Sequence, residues 1–341
     1  MPNMSDKLAR RSFLQTAAAA GVLGVTGCLG SESTGEGNTI WTTMASESSS
    51  YASVQGIASL VNEESDEVQM EAKPSKGTGA NIGRLQRDEA HVAYTQSFDA
   101  VRVTEGMEPY DNLNFELNEV IHWMSSPFLF VTPHDWDSIS DIGSDSRVSP
   151  AEEGAGTRDM LEKALGYVVD DYDATSVRFT QQAGPFQEGT LDVGIVPLMN
   201  GAIEGSYVEE QKSTVDLSVL KWPDNAVSEM ESDPLISMVE VDMTQFEGYA
   251  NVPEDQLMVP TANFNFVTRN DVGYDAIYET LSIMYENRES LSDYHNILSF
   301  HEDPTHWVEN SYETVPFHPA AADFYEENDM WDLAKGGRAD E

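Results

Sequence analysis

The sequence predicts an α/β protein of two lobes with a ligand cleft between them. Three observations predict it. A β-rich segment, a small polar loop and an amphipathic helix follow one another through residues 40–61. The same order repeats through 68–97 and starts again at 147–200, without any repeat of sequence. The segment ends that follow the strands are small and polar throughout. Alternating strands and helices argue for parallel pairing with right-handed crossovers. Ligands of such sheets bind beyond the carboxyl ends of the strands, and two units that face each other enclose a cleft.

Ile40, Trp41, Thr42 and Thr43 are β-branched or aromatic and read as a short strand. Residues 45–50 are a small, Ser-rich turn. From Tyr51, the apolar residues Val54, Ile57, Ala58, Leu60 and Val61 recur at helical spacing. The loop therefore sits at a helix N-terminus, where free N–H groups and the dipole favour an anion. Ser48, Ser49 and Ser50 either cap that helix or offer hydroxyls to a ligand, with Tyr51 beside them. Residues 68–72 read as a second strand and 73–79 as a second loop, carrying Ser75, Lys76, Gly77 and Thr78. Lys76 reads first as a solvated loop lysine. A helix containing Asn81 starts near 80, and 91–95 form a third strand that runs into Gln96 and Ser97. An amide and a hydroxyl at a strand end can fix a ligand's orientation.

The apolar run 120–131, broken by Pro127, reads as a strand passing from one lobe to the other. In the second lobe, strands are expected at 147–149, 177–179, 191–197 and 216–222. A helix over 157–165 is opened by Gly156 and Thr157, and Pro197 leads to Asn200 on the far side of the cleft. Residues 225–251 are acidic and irregular, and the β-rich stretch 258–267 can carry the chain back. Helices follow at 274–288, 293–300 and 320–328, and His318 reads as a structural loop residue. The expected organisation is lobe I at 39–127, lobe II at 128–260, a return to lobe I with C-terminal helices at 261–334, and a disordered tail at 335–341.

Sixty acidic against 18 basic residues give the 341-residue chain a net charge of −42. That excludes nucleic acid, whose phosphates need lysine and arginine, and adsorption to anionic lipid heads. Hydrophobic residues remain at 40%, so a packed core is available. Such self-repulsion destabilises a compact state unless it is screened, and molar salt shortens the screening length to about 3 Å. The composition reads as that of a halophile's protein.

Residues 1–28 read as a targeting segment. Arg10 and Arg11 precede Ser12, Phe13 and Leu14, a twin-arginine export pattern. An apolar stretch over 16–25 is too short to remain as a membrane span. It ends at Val25, Thr26, Gly27 and Cys28, similar to a lipoprotein lipobox. Cys28 is the only cysteine, so no intrachain disulfide can form. Residues 29–38 are Gly-, Ser-, Thr- and Glu-rich, a flexible tether. The mature protein is expected on the outer face of the cell membrane, held by its lipid anchor alone.

In their order along the chain these residues resemble the TAXI family of solute receptors for TRAP transporters. A strand, a small loop and a Tyr-led helix match at 46–56. A Ser/Thr–Gly loop and an Asn-containing helix match at 75–85, and an acidic residue, a strand and a Gln-Ser pair match at 89–97. Gly154, Gly156 and Thr157 match in the second lobe, and Pro316, His318, Pro319, Ala320, Ala321 and Tyr325 match at the end. The family's first loop is usually Gly-Gly-Thr-rich, whereas this one is Ser-rich. The resemblance implies an α/β, two-lobed, type II periplasmic-binding-protein-like fold. It implies a monomer that captures a small carboxylate or amino acid, glutamate- or glutamine-like, and delivers it to an ion-coupled TRAP permease. The implied ligand contacts are Ser48, Ser49, Ser50, Tyr51, Ser75, Gly77, Thr78, Asn81, Gln96, Ser97, Gly156, Thr157, Pro197 and Asn200.

Catalysis has little support. His301 and His306 flank Glu302, Asp303 and Pro304, a spacing that does not place ligands on one helical face. No nucleophile elbow, phosphate loop or dinucleotide fingerprint is present. No cofactor and no metal are expected. The alternatives are a receptor for an ABC importer or a sensor, and, further off, a secreted hydrolase.

Overall fold

The computed structural model describes residues 37–46 and 48–339. The twin-arginine segment, Cys28 and nearly all of the tether lie outside the described residues. The first lobe opens with β1 (Asn38–Thr42), α1 (Ser49–Glu64), β2 (Gln69–Lys73), α2 (Thr78–Gln86), β3 (Val92–Gln96) and α3 (Ser97–Thr104). β1 pairs in parallel with β2 and β3, as alternating strands and helices dictate. α1 forms because Ser48 caps it, its hydroxyl accepting from Tyr51 N, and because Val54, Ile57, Leu60 and Val61 share its buried face. β3 is buried along its whole length.

Two long strands then serve both lobes. β4 (Leu117–Thr132) pairs with the later β11 (Gln256–Arg269) as far as Pro127. From Phe128 onward β4 pairs instead with β7 (Gly194–Met199) and β9 (Ser218–Leu220). β11 in turn pairs with β10 (Ser237–Asp242) up to Thr261, and with β3 and β4 beyond it. Each shared strand carries a proline where its partner changes, Pro127 in β4 and Pro260 in β11. Proline lacks the N–H that a continuous ladder requires, so it belongs at such a break.

The rest of the second lobe comprises β5 (Arg147–Val148), α4 (Gly156–Leu165), β6 (Asp173–Ala174), α5 (Ala183–Gln187), β8 (Ile203–Glu204), α6 (Ser206–Thr214) and α7 (Asp224–Glu231). The chain ends with α8 (Tyr274–Glu286), α9 (Leu291–Tyr294) and α10 (Pro319–Glu327), joined by 3-10 turns. The first sheet thus has the order β2-β1-β3-β11-β4-β7-β8, and β5 pairs with β6 and bridges Val193 through Val148. The core is aromatic where the shared strands meet the helices. Trp41 and Trp123 lie 4.8 and 5.0 Å from Phe266, ring to ring, and Tyr94 stacks on Phe264 at 5.2 Å. Burying each such ring contributes about 1.5–3 kcal/mol.

Three expectations are corrected. The strand expected at 177–179 is a 3-10 turn, Phe179–Gln181, after the short β6. There the Gln182 side chain bonds both the N–H and the carbonyl of Ile195, occupying the place of a neighbouring strand. Residues 225–251 are more regular than their acidity suggests, because α7 buries Ala226 and Met230 in the main core and β10 pairs with β11. The tail is not frayed over 335–339. Gly337 O accepts from Phe317 N, Ala339 N donates to Phe317 O, and Arg338 pairs with Asp323.

Candidate functional site

A cavity of about 810 Å³ lies where the shared strands change partners. β4 supplies Ser125 and Pro127, and β11 supplies Thr261 and Asn263. α3 contributes Ser97 and Val101, the second lobe contributes Asn200 and β10, and residues 310–314 with Lys335 close the remaining side. Polar side chains interrupt otherwise apolar strands here, and hydrogen bonds hold them in place. Ser125 Oγ donates to Asn263 Oδ1 at 2.9 Å, and Asn263 N donates to Ser97 Oγ at 3.3 Å. Asn200 adopts a left-handed backbone, φ 49°, which asparagine tolerates better than most residues. In that conformation its Oδ1 accepts from Ser125 N and its N donates to Ser125 O, both at 2.8 Å. Thr261 Oγ1 and Asn200 Nδ2 are buried and find no partner among the described residues.

The lining is strongly asymmetric in charge. Glu231, Asp233, Glu240, Asp242 and Glu313 are acidic, and Lys335 is the only lysine or arginine among the described lining residues. Asp233 is already held by Lys163 at 2.7 Å and by the Tyr167 hydroxyl, and Asp242 caps Thr244. Glu231, Glu240 and Glu313 line the cavity together with Lys335.

Beside this cavity Gln96 joins the lobes. Its Nε2 donates to Gly156 O at the start of α4, 2.7 Å, and to Asp99 Oδ2, 2.8 Å. Two acceptors fix the orientation of the amide and leave Oε1 buried without a partner among the described residues. Burial pushes the Asp99 carboxyl upward, against the pull of Gln96, the Tyr110 hydroxyl and Arg102. Arg102 lies 3.5 Å from both Asp99 and Asp159 and adds a second tie between the lobes.

The fourteen residues expected at the site fall into separate groups. Ser97 and Asn200 line the cavity, and Gln96 and Gly156 meet across the lobes. Ser48 spends its hydroxyl on the α1 cap, Ser50 Oγ donates to the Tyr94 hydroxyl, and the Tyr51 hydroxyl takes Gln55 Nε2. Ser49 is exposed. Asn81 is fully buried; its Nδ2 donates to Thr43 O and Tyr94 O while its Oδ1 accepts from Thr42 Oγ1. That amide ties β1 to β3. Ser75 Oγ donates to Thr43 O and accepts from Gly77 N, and Ser75 lines a different cavity, on α2. Thr78 is buried at the start of α2, Thr157 is half-buried on α4, and Pro197 lies in β7 opposite Phe128. Sequence reading missed Ser125, Thr261, Asn263 and Lys335. The first three had a signal, since they are small polar residues inside apolar strands. Lys335 had none. No group of three His, Cys, Asp or Glu among the described residues is placed to hold a metal ion.

A model of the NMT1-like family matches residues 42–328. The chain belongs to the NMT1-like family. That family is of the periplasmic solute-binding type, whose members bind small ligands outside the cytoplasm, work with membrane transporters and are typically not enzymes. The fold of this NMT1-like chain is a mixed α/β structure with a curled sheet. Similar solved structures include protein AF1704 from Archaeoglobus fulgidus, 13% identical over 87% of this chain and 98% of that one, with a TM-score of 0.44. The probable amino-acid ABC transporter extracellular-binding protein YtmK from Bacillus subtilis is 11% identical over 75% of this chain and 95% of its own, with a TM-score of 0.42. The second substrate-binding domain of GlnP from Lactococcus lactis, in an open conformation, is 10% identical over 77% and 94%, with a TM-score of 0.39. No curated protein matches the sequence.

Proposed function

We propose that this protein captures an amino acid or small carboxylate in the inter-lobe cavity and delivers it to an ion-coupled TRAP permease. The observation that carries the reading is the lining, with hydroxyls and amides of Ser97, Ser125, Asn200, Thr261 and Asn263, one lysine, and several carboxylates. An α-amino acid matches it best. Its carboxylate pairs with Lys335 and its ammonium meets the acidic wall, whereas a dicarboxylate leaves a second negative charge facing Glu231, Glu240 and Glu313. Closing the lobes around the solute removes water and strengthens each contact. The TRAP partner rests on the resemblance in residue order to TAXI receptors.

Calorimetric titration at molar salt tests the ligand. Glutamine is expected to bind, and glutamate, succinate and 2-oxoglutarate, each with a second carboxylate, to bind more weakly. Lys335→Met and Gln96→Ala are each expected to weaken binding by about 1–3 kcal/mol, the usual cost of leaving a buried polar partner unmatched. Equal binding by wild type and both variants places the ligand elsewhere. Proteoliposomes holding the permease test the partner, since uptake that this protein does not stimulate removes the TRAP assignment. Attachment to the membrane is assigned to Cys28. Cys28→Ser is expected to release the protein into the medium, and retention of that variant by membranes counts against a lipid anchor.

A further inference from the structure

A second cavity, of about 650 Å³, lies on the first lobe and shares no lining residue with the inter-lobe one. It runs from the two loop segments at Ala45, Ser46 and Pro74–Lys76 along α2 past Gly79, Ala80 and Gly83. Its charge is the reverse of the chain's. The protein carries −42, yet Lys76, Arg84 and Arg87 line this cavity and no acidic residue does among the described ones. Small residues form its bed, so the cations are not covered by neighbouring side chains.

Ion pairing elsewhere sharpens the contrast. Carboxylates so outnumber cations that Arg102, Arg147, Lys163, Lys212, Lys221, Arg269 and Arg338 all have at least one carboxylate within 4.0 Å. Among the described residues Lys76, Arg84, Arg288 and Lys335 stand in no ion pair, and two of these four line this cavity. Arg87 pairs with Glu89 at 2.9 Å. Arg84 is half-buried and spends one N–H on Thr42 Oγ1 at 2.5 Å, which holds the guanidinium in place and leaves its other donors unspent. Thr42 in turn donates to the buried Asn81, so the anchor of Arg84 is part of the core.

We infer that this cavity is a binding site for a small oxyanion, separate from the solute cleft. The fixed guanidinium of Arg84 suits a two-oxygen contact with phosphate or carboxylate, and Lys76 supplies a mobile point charge at the mouth. In a salt-rich medium only such direct contact survives screening, because bulk attraction fades within a few ångströms, about 3 Å at molar salt.

The test is titration of the full protein with inorganic phosphate and with citrate in molar potassium chloride. Saturable binding of either anion is expected. Phosphate alone assigns a phosphate-bearing ligand, and citrate alone assigns a carboxylate. The double variant Lys76→Gln, Arg84→Gln is expected to weaken it by about tenfold or more. Arg84→Lys, which keeps the charge and loses the planar fork, is expected to weaken it less, and thermal melts establish that each variant is folded. Lys335→Met is expected to bind the anion as wild type does, so failure of the amino-acid assignment leaves this result readable. Absence of saturable binding for both anions, or equal binding by the folded double variant, overturns the site.

Discussion

Glu119, in β4, shows how a single residue sets a pH dependence. It is fully buried, with Oε1 accepting from Asn265 Nδ2 and Oε2 from Tyr312 N at 2.8 Å. Burial pushes its carboxyl up to about 8, against the pull of those two donors. Asn265 Oδ1 accepts from His122 Nδ1 at 2.7 Å, which assigns the proton of that ring. His122 is itself packed on His306 at 4.8 Å, and His306 on His301 at 5.1 Å. Burial, with the neighbouring rings, lowers His122 to about 3 and His301 well below the ordinary histidine range. His301 has no well-formed hydrogen bond at either ring nitrogen, only loose approaches from the backbone of His122 and Ile297. Glu309 lies 3.5 Å from His306, and Lys335 and Asp303 are charged groups that act on this cluster.

The signs follow by linkage. The folded state keeps the Glu119 proton where the unfolded chain has lost it, so stability falls as pH rises from about 4.3 to 8. His122 and His301 are neutral when folded, and the unfolded chain takes their protons first, so stability falls as pH drops below about 6.5. Each group contributes up to about 1.4 kcal/mol per pH unit within its window. Two histidines outweigh one carboxyl on the acid side, which puts the maximum for this cluster near neutrality. His301→Phe is expected to keep the stacking on Trp123 and to flatten the acid limb of denaturation curves taken at molar salt. An unchanged acid limb means that His301 is not neutral in the fold.

At the scale of elements, the segment after the last helix decides more than its composition suggests. Lys335 N donates to Ser311 Oγ at 2.8 Å, and the chain then lies against Phe317 through the Gly337 carbonyl and Ala339 N. Gly336 makes this possible. A Cβ there would stand 2.4 Å from Val315 O and 2.8 Å from Tyr312 O, while at Gly337 nothing lies within 4 Å. Gly336→Ala therefore has to displace backbone, and it is expected to lower the melting temperature clearly, by about 1–3 kcal/mol of stability as overpacking usually costs. Gly337→Ala is expected to change little. Equal melting temperatures for the two variants contradict this packing. Because Lys335 reaches the inter-lobe cavity from the same segment, Gly336→Ala is also expected to weaken solute binding.

At the scale of the whole molecule, charge governs. With 60 acidic residues against 18 basic ones, the folded chain concentrates repulsion that the expanded chain relieves. Screening lengths grow from about 3 Å at molar salt to about 10 Å at 0.1 M. Dilution is expected to lower the melting temperature steeply, and the loss is expected to reverse on adding potassium chloride. A melting temperature that stays constant between these conditions removes the halophile reading. Sucrose in place of salt separates screening from preferential exclusion, since only the second survives in the uncharged solute.

The local parts of this protein were legible in its sequence. Apolar periodicity placed α1, β3, α4, α8 and α10 close to where they lie, and Pro127 marked the point where β4 changes its pairing partner. Periodicity and turn chemistry act over a few residues, so a sequence displays them directly. What depended on distant partners was not displayed. β10 forms because β11 pairs with it, and the segment at 177–179 turns because Gln182 takes Ile195. Asn81, which read as a ligand contact, spends all its donors on Thr43 and Tyr94. The sequence by itself determined the α/β class, the order of the elements and the excess of negative charge. Tertiary structure alone decided which polar groups meet solute and which hold the fold, because a hydroxyl or amide serves either purpose with the same atoms and only its neighbours in space distinguish them.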